Sequence, residues 1–387
     1  MRIAAVVQRY GADIVGGAER LCRGVAEGLA ARGHDVEVMT SCARSYRSWA
    51  NAFPDGVESI NGVVVRRFRV EQERDMTAFN AASERLFGSS ADIDDQTAWV
   101  KAQGPYAPRL VDHLHCVAGD FERLVFFTYL YHPTVHGIHV APERSVLVPT
   151  AHDEAPIYLE IYEAVFSRPA GLIFNTQAEA AFVHRRFPRA TAKERIIGAG
   201  IDALEALSAT ADSIPDDASP TALYAGRIEP GKGVAEMIDY VARFRHDSGV
   251  PLRLRVMGEV AMDLPAREWI DVLGFVDDDE KVRHLRRASV VIAPSPLESF
   301  GIVVLEAMAA RTPVLVNSKA AAAVEHCRKA NAGLYYRGYS EFRRALDLLL
   351  GDQQLRGAMA RRGASYVREN YSWPKIIDRY EEFLQEL

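Results

Sequence analysis

No C-x-x-C pair occurs in this chain. Its four cysteines, Cys22, Cys42, Cys116 and Cys327, stand far apart, which argues against a disulfide framework or a cysteine zinc site and suits reduced thiols. No apolar run approaches the ~20 residues of a membrane span. The apolar start "MRIAAVV" is too short for a signal peptide, so the expected location is the cytoplasm. An excess of basic charge is missing too: 46 Lys and Arg face 52 Asp and Glu, net −6, which gives no general pull toward nucleic acid. No short repeat or low-complexity tract is present.

What is there reads as an ordinary globular protein, with 48% hydrophobic and 25% charged residues. A chain of 387 residues exceeds one ordinary core, and two domains are expected. Strand-like runs alternate with helical periodicity, the pattern of parallel sheets covered by helices. "RIAAVVQ" leads through a glycine-bearing loop into a helix with Leu21, Val25 and Leu29 on one face; "DVEVMT", "VVVRRFRV", "RLVFFTY", "SVLVPTAH" and "GLIFNT" follow as strands. "ALEALSATADSIPDDASPT" is small, polar and proline-bearing, a linker composition. The pattern then restarts with "ALYAGR", "LRLRVMGE", "WIDVLGF", "SVVIAPS" and "TPVLVNS". The reading is α/β, with two Rossmann-like domains facing one another across a cleft. The first covers residues 1–203, with a helical insertion at about 71–120; a linker covers 204–220, and the second domain 221–370. In such sheets ligands bind where strands exit into helices.

Chemistry-bearing stretches lie at these exits. "YAGRIEPGKGV" matches the start of a P-loop, but Gly233 stands where magnesium-holding Ser or Thr is needed. Arg227 and Lys232 remain, two cations near a helix start that favours anions. "QRYGADIVGGAER" puts Gly16 and Gly17 before the first helix; it is no G-x-G-x-x-G, and it serves either close ligand approach or a tight turn. His152 and Asp153 follow a strand. In "PSPLESFGIVVLEAMA", Glu298 and Glu306 interrupt an apolar run, where carboxylates are uncommon unless paired. They suit paired hydroxyl groups of a sugar or ribose; otherwise Glu298 caps the helix, whose first turn is expected at Phe300–Val303, and Glu306 pairs with an arginine. The pairs Asp92/Asp94 and Asp277/Asp279 read as helix caps rather than metal ligands. In "YHPTVHGIH", Pro133 and Gly137 should break a helical face, so no metal site is expected.

"ESFGIVVLEAMAARTPVLV", a glutamate, seven residues and a second glutamate, resembles the signature of the family 4 retaining glycosyltransferases of GT-B fold. "AGRIEPGKGV", "IIGAGID", "GGAERL", "AHDEAP" and "YSWPKIIDRYEEFL" resemble further segments of that family in the same order. "GAG" departs from it, as does the 71–120 insertion. The resemblance implies a metal-independent hexosyltransferase without a cofactor, taking a GDP- or UDP-linked nucleotide sugar. Arg227 and Lys232 would neutralise the diphosphate, and Glu306 would hold the ribose. Glu298 would contact the sugar with the backbone amides of Phe300, Gly301 and Ile302. His152 would touch the sugar near the reacting carbon, and Gly16 and Gly17 would line the cleft. It also implies a C-terminal helix at 371–387 packed back on the first domain.

The acceptor stays open among a glycan, a glycolipid and a small molecule. A nucleotide-sugar epimerase, with Asp153 and Glu154 as its only candidate acid and base, and a catalytically silent nucleotide-sugar-binding protein are the alternatives. Arg185, Arg186, Arg189, Lys193 and Arg195 around Phe182 and Phe187, with Arg66, Arg67 and Arg69, suggest peripheral contact with the inner face of a membrane. A solvated face or a site for an anionic acceptor explains the same residues.

Overall fold

The computed structural model describes residues 1–14, 16–88, 92–208 and 219–387. They form two compact units, Met1–Gly200 with Trp373–Leu387, and Ile201–Ser372.

Unit 1 holds strands β1 (Arg2–Val6), β2 (Asp35–Ser41), β3 (Gly56–Ile60), β4 (Val63–Phe68), β5 (Arg123–Phe127), β6 (Ser145–Val148), β7 (Gly171–Phe174) and β8 (Lys193–Ile196). Their order is β3-β4-β2-β1-β5-β6-β7-β8, parallel except for the β3–β4 hairpin. The central strands are buried on both faces, as the apolar runs of β5, β6 and β7 require. Val6, Leu124, Phe126, Leu147 and Phe174 share a core with Tyr162 and Phe166; each such side chain contributes roughly 1.5–3 kcal/mol on burial. Among the described residues of the 71–120 stretch are the α-helices Met76–Phe87, Ile93–Gln103 and Pro108–Val117. Leu110 and Leu114 of the last join that core.

The helix Gly17–Ala31 buries Leu21, Cys22, Val25 and Leu29, the spacing of one helical face. Gly24 and Gly28 make a second, bare face. A Cβ at Gly24 would overlap the Trp373 indole, and one at Gly28 would lie 2.5 Å from Ile377. The helix Trp373–Glu386 packs there, burying Ile376, Ile377, Tyr380, Phe383 and Leu384.

Unit 2 holds β9 (Thr221–Ala225), β10 (Arg253–Met257), β11 (Ile270–Gly274), β12 (Val290–Ala293), β13 (Val314–Asn317) and β14 (Gly333–Tyr336), in the order β11-β10-β9-β12-β13-β14 and all parallel. The chain runs outward from β9 to one edge and from β12 to the other, so the order reverses between β9 and β12. In unit 1 it reverses between β1 and β5. Such reversals open a crevice at the carboxyl ends of the two strands.

Of the stretch expected to link the domains, Leu204–Ser208 is a helix, and 209–218 lie outside the described residues. Within unit 2, Ile201 N–H donates to the Tyr371 carbonyl at 2.9 Å. Among the described residues no helix is long and apolar enough to cross a membrane.

Candidate functional site in unit 2

The β9 exit builds one wall. Tyr224, next to last in the strand, donates its hydroxyl to the Arg227 carbonyl at 2.6 Å, which ties down the loop. A short turn, Pro230–Lys232, precedes the helix Val234–Ser248. Gly233 joins them at φ 71°, and a Cβ there would lie 2.5 Å from the Pro294 carbonyl oxygen. A P-loop Ser or Thr is thus refused twice, by backbone conformation and by the close approach of the β12 exit.

The β12 exit builds the other wall. Its helix runs Ile302–Ala309 with Gly301 at the N-terminal position, φ 83°, and no side chain capping it. The helix begins later than the expected Phe300–Val303, because Gly301 is left-handed rather than helical. N–H groups at such an end lack intrahelical partners and favour an anion.

These walls meet through side chains. Lys232 Nζ lies 3.2 Å from Glu298 Oε1, both partly exposed. Glu298 therefore does not cap the helix; it faces the β9 loop. Glu306, 4% exposed, is paired with Lys281 Nζ at 2.6 Å. Arg227 lies 3.4 Å from Glu229. Arg227, Lys232 and Lys281 thus flank one topological reversal with Gly301, each cation beside a carboxylate, Glu229, Glu298 and Glu306 respectively.

In unit 1, Gly17 begins its helix and Gly16 precedes it. A Cβ at Gly16 would overlap the Glu19 carboxylate, which is buried against Arg9 at 2.6 Å. Gly16 therefore makes room for a buried ion pair. His152 follows β6; its Nε2 lies 3.5 Å from Glu154 Oε2, and Glu154 Oε1 accepts from the Tyr129 hydroxyl at 2.7 Å.

Sequence reasoning missed Glu179. It is fully buried, accepting from the backbone N–H groups of Ala151 and Asn175, each at 2.6 Å. It thereby joins the exits of β6 and β7 directly beside His152. Burial pushes its carboxyl up to about 8, against those N–H groups, which pull it down. The available signal was a glutamate among alanines in "QAEAA". Lys281 was missed as well, because a lysine on a polar helix carries no local sign of a buried partner.

His132–Gly137 is a helix after all, since Pro133 lies in its first turn, where proline is tolerated. Burial pushes His132 down to about 3 and His139 to about 4. Asp92 and Asp277 cap their helices, accepting from Asp95 and Glu280 N–H at 2.9 and 2.7 Å. Among the described residues no three His, Cys, Asp or Glu side chains are placed to hold a metal ion. Five cations of the suggested membrane patch are paired inside unit 1: Arg66 with Glu37, Arg67 with Glu58, Arg186 with Glu163, and Lys193 and Arg195 with Glu386. Phe187 is buried against Phe166 at 4.1 Å and is no surface anchor.

Residues 200–366 match the family model of the glycosyl transferases, group 1. Over most of its length the chain is similar in sequence to glycosyltransferases. It is 27% identical to an uncharacterized glycosyltransferase of Methanocaldococcus jannaschii, covering 97% of this chain and 96% of that one. It is 26% identical to a D-inositol 3-phosphate glycosyltransferase of Jonesia denitrificans, covering 90% and 86%. The structure of Anabaena HepE in complex with UDP-glucose superposes with a TM-score of 0.70 at 18% identity, covering 100% of both chains. The fold is that of the GT-B glycosyltransferases, built from two Rossmann-like units. The group 1 match falls on unit 2 apart from its first residue, Gly200, so both glutamates, Arg227 and Lys232 lie inside it.

Proposed function

We propose that this chain is a family 4 retaining glycosyltransferase that moves a hexose from a UDP- or GDP-linked nucleotide sugar to an acceptor hydroxyl, without a metal or other cofactor. One observation carries the reading: Lys232 and Glu298, from opposite sides of the β9–β12 reversal, meet beside a helix start that no side chain caps. A diphosphate and a polyol together match that set of groups. Phosphate oxygens replace Glu298 as the partner of Lys232 and are joined by Arg227 and the amides of Phe300, Gly301 and Ile302. Freed Glu298 accepts from sugar hydroxyls, and Glu306, its charge held by Lys281, accepts from the ribose.

In the transfer, the bond from the anomeric carbon to the phosphate oxygen breaks with its electrons going to the phosphate. Fixed cations and helix-end amides stabilise that developing charge in place of a divalent ion. The acceptor oxygen forms its bond on the same face, and its proton passes to the departing phosphate oxygen. For unit 1 we propose that His152 contacts the transferred sugar and that Gly16 and Gly17 allow close approach of substrate. The reaction belongs in the cytoplasm, in glycan, polysaccharide, glycolipid or natural-product assembly.

The test is product analysis with a panel of UDP- and GDP-sugars and crude acceptor extract, with and without EDTA. A glycosylated product of retained anomeric configuration, formed equally under chelation, is expected. An epimerised donor, donor bound but unchanged, or activity lost to EDTA and restored by manganese would overturn the reading.

A further inference from the structure

His326 has no part in the site described so far, yet it is fully buried and both its ring nitrogens are engaged. It lies on the helix Ala321–Ala330, which follows β13. Nε2 is 2.9 Å from the Phe300 carbonyl oxygen, and Nδ1 is 3.0 Å from the Tyr366 hydroxyl. Tyr366 Oη is in turn 3.1 Å from Tyr371 Oη.

The partners fix the protons. A carbonyl oxygen only accepts, so Nε2 carries the hydrogen. Burial pushes the ring down to about 4, which leaves it neutral at physiological pH and makes Nδ1 an acceptor. Tyr366 donates to Nδ1, and Tyr371 donates to Tyr366. Phe300 is held at the same place by ring contacts, edge-on to His326 at 5.3 Å and to Tyr371 at 5.6 Å.

We propose that His326 is a positioning residue for the nucleotide-sugar site, setting the direction of the backbone N–H that opens the helix Ile302–Ala309. A trans peptide is planar, with its carbonyl and the following N–H pointing in opposite directions. Holding the Phe300 carbonyl inward onto His326 therefore turns the Gly301 N–H outward, away from the core. Gly301 is left-handed and uncapped by any side chain, so its own geometry offers little resistance to rotation of that peptide. The hydrogen bond from Nε2 supplies the missing restraint. The chain of hydroxyls reaches Tyr371, so the donor loop is tied to the C-terminal end of unit 2.

This inference rests on the proposed donor site, and the test separates the two. UDP and GDP are titrated calorimetrically into wild type, His326→Leu and His326→Gln, and donor kcat and KM are measured for each. The Gln side chain offers an N–H near the position of Nε2; Leu offers none. His326→Leu should weaken nucleotide binding about tenfold or more, and His326→Gln should restore most of it. Amide NMR at Gly301 supplies a ligand-free reading, with a shifted resonance and faster hydrogen exchange expected in His326→Leu. Tyr366→Phe, which spares the Phe300 contact, guards against a leucine variant that does not fold and should give a smaller change of the same kind. A folded leucine variant with wild-type affinity, or a glutamine variant no better than leucine, overturns the proposal. If wild type binds neither nucleotide, the donor site itself is wrong, and an unmoved Gly301 resonance would then overturn the positioning role as well.

Discussion

Glu298 and Glu306 carry the same charge in different surroundings, and their substitutions should separate accordingly. Glu306 is buried on a helix and held by Lys281, whereas Glu298 is in a loop, partly exposed, against Lys232. Glu306→Gln should mainly raise the dissociation constant for the nucleotide, and Glu298→Gln should mainly lower kcat. Steady-state kinetics with the preferred donor decides, and matching profiles would contradict the division. Glu179 makes a prediction about pH. Its carboxyl is held at about 8 in the fold, against an ordinary 4.5. Below 4.5 neither folded nor unfolded state is ionised there. Between 4.5 and about 8 the unfolded chain loses the proton and the folded one keeps it, so stability falls as pH rises through that window. Glu179→Gln stays neutral throughout, so the wild type's lead in melting temperature should narrow between pH 5 and pH 9. A lead that widens would contradict the assignment.

At the scale of elements, Gly233 joins a turn to a helix where no other residue fits. Gly233→Ser restores the P-loop letter but places a side chain at positive φ against the Pro294 carbonyl. A loss of about 1–3 kcal/mol in chemical denaturation is expected, with no gain of magnesium dependence. A neutral effect would show that the loop tolerates the side chain. The same scale shows what was legible. The central strands could be read from apolar runs because both their faces are buried. β3, β8 and β14 were not read, and all three are edge strands. "GVESI" is almost wholly exposed and "KERI" is polar, so neither bears the mark of burial. The motif loops were legible because glycine, cations and carboxylates at strand exits have few other uses. Their partners Lys281, Glu179 and His326 were not, since each is joined to the site by contacts distant in sequence.

For the whole molecule, two sheets each reverse their strand order once, and the chain passes between them twice. Gly200 and Gly24 leave room for Trp373, the first residue after the return passage, which is why the last helix belongs to unit 1. The glycines and the tryptophan were visible in the sequence, but their meeting was not. The central claim belongs to unit 2: its β9–β12 reversal binds a nucleoside diphosphate through Arg227 and Lys232. Calorimetric titration of UDP and GDP into wild type, Arg227→Ala and Lys232→Ala tests it most directly. One of the two nucleotides should bind wild type, and each substitution should weaken that binding by about 2–3 kcal/mol, the loss of a charge-assisted contact. Unchanged affinity in both variants would contradict the claim.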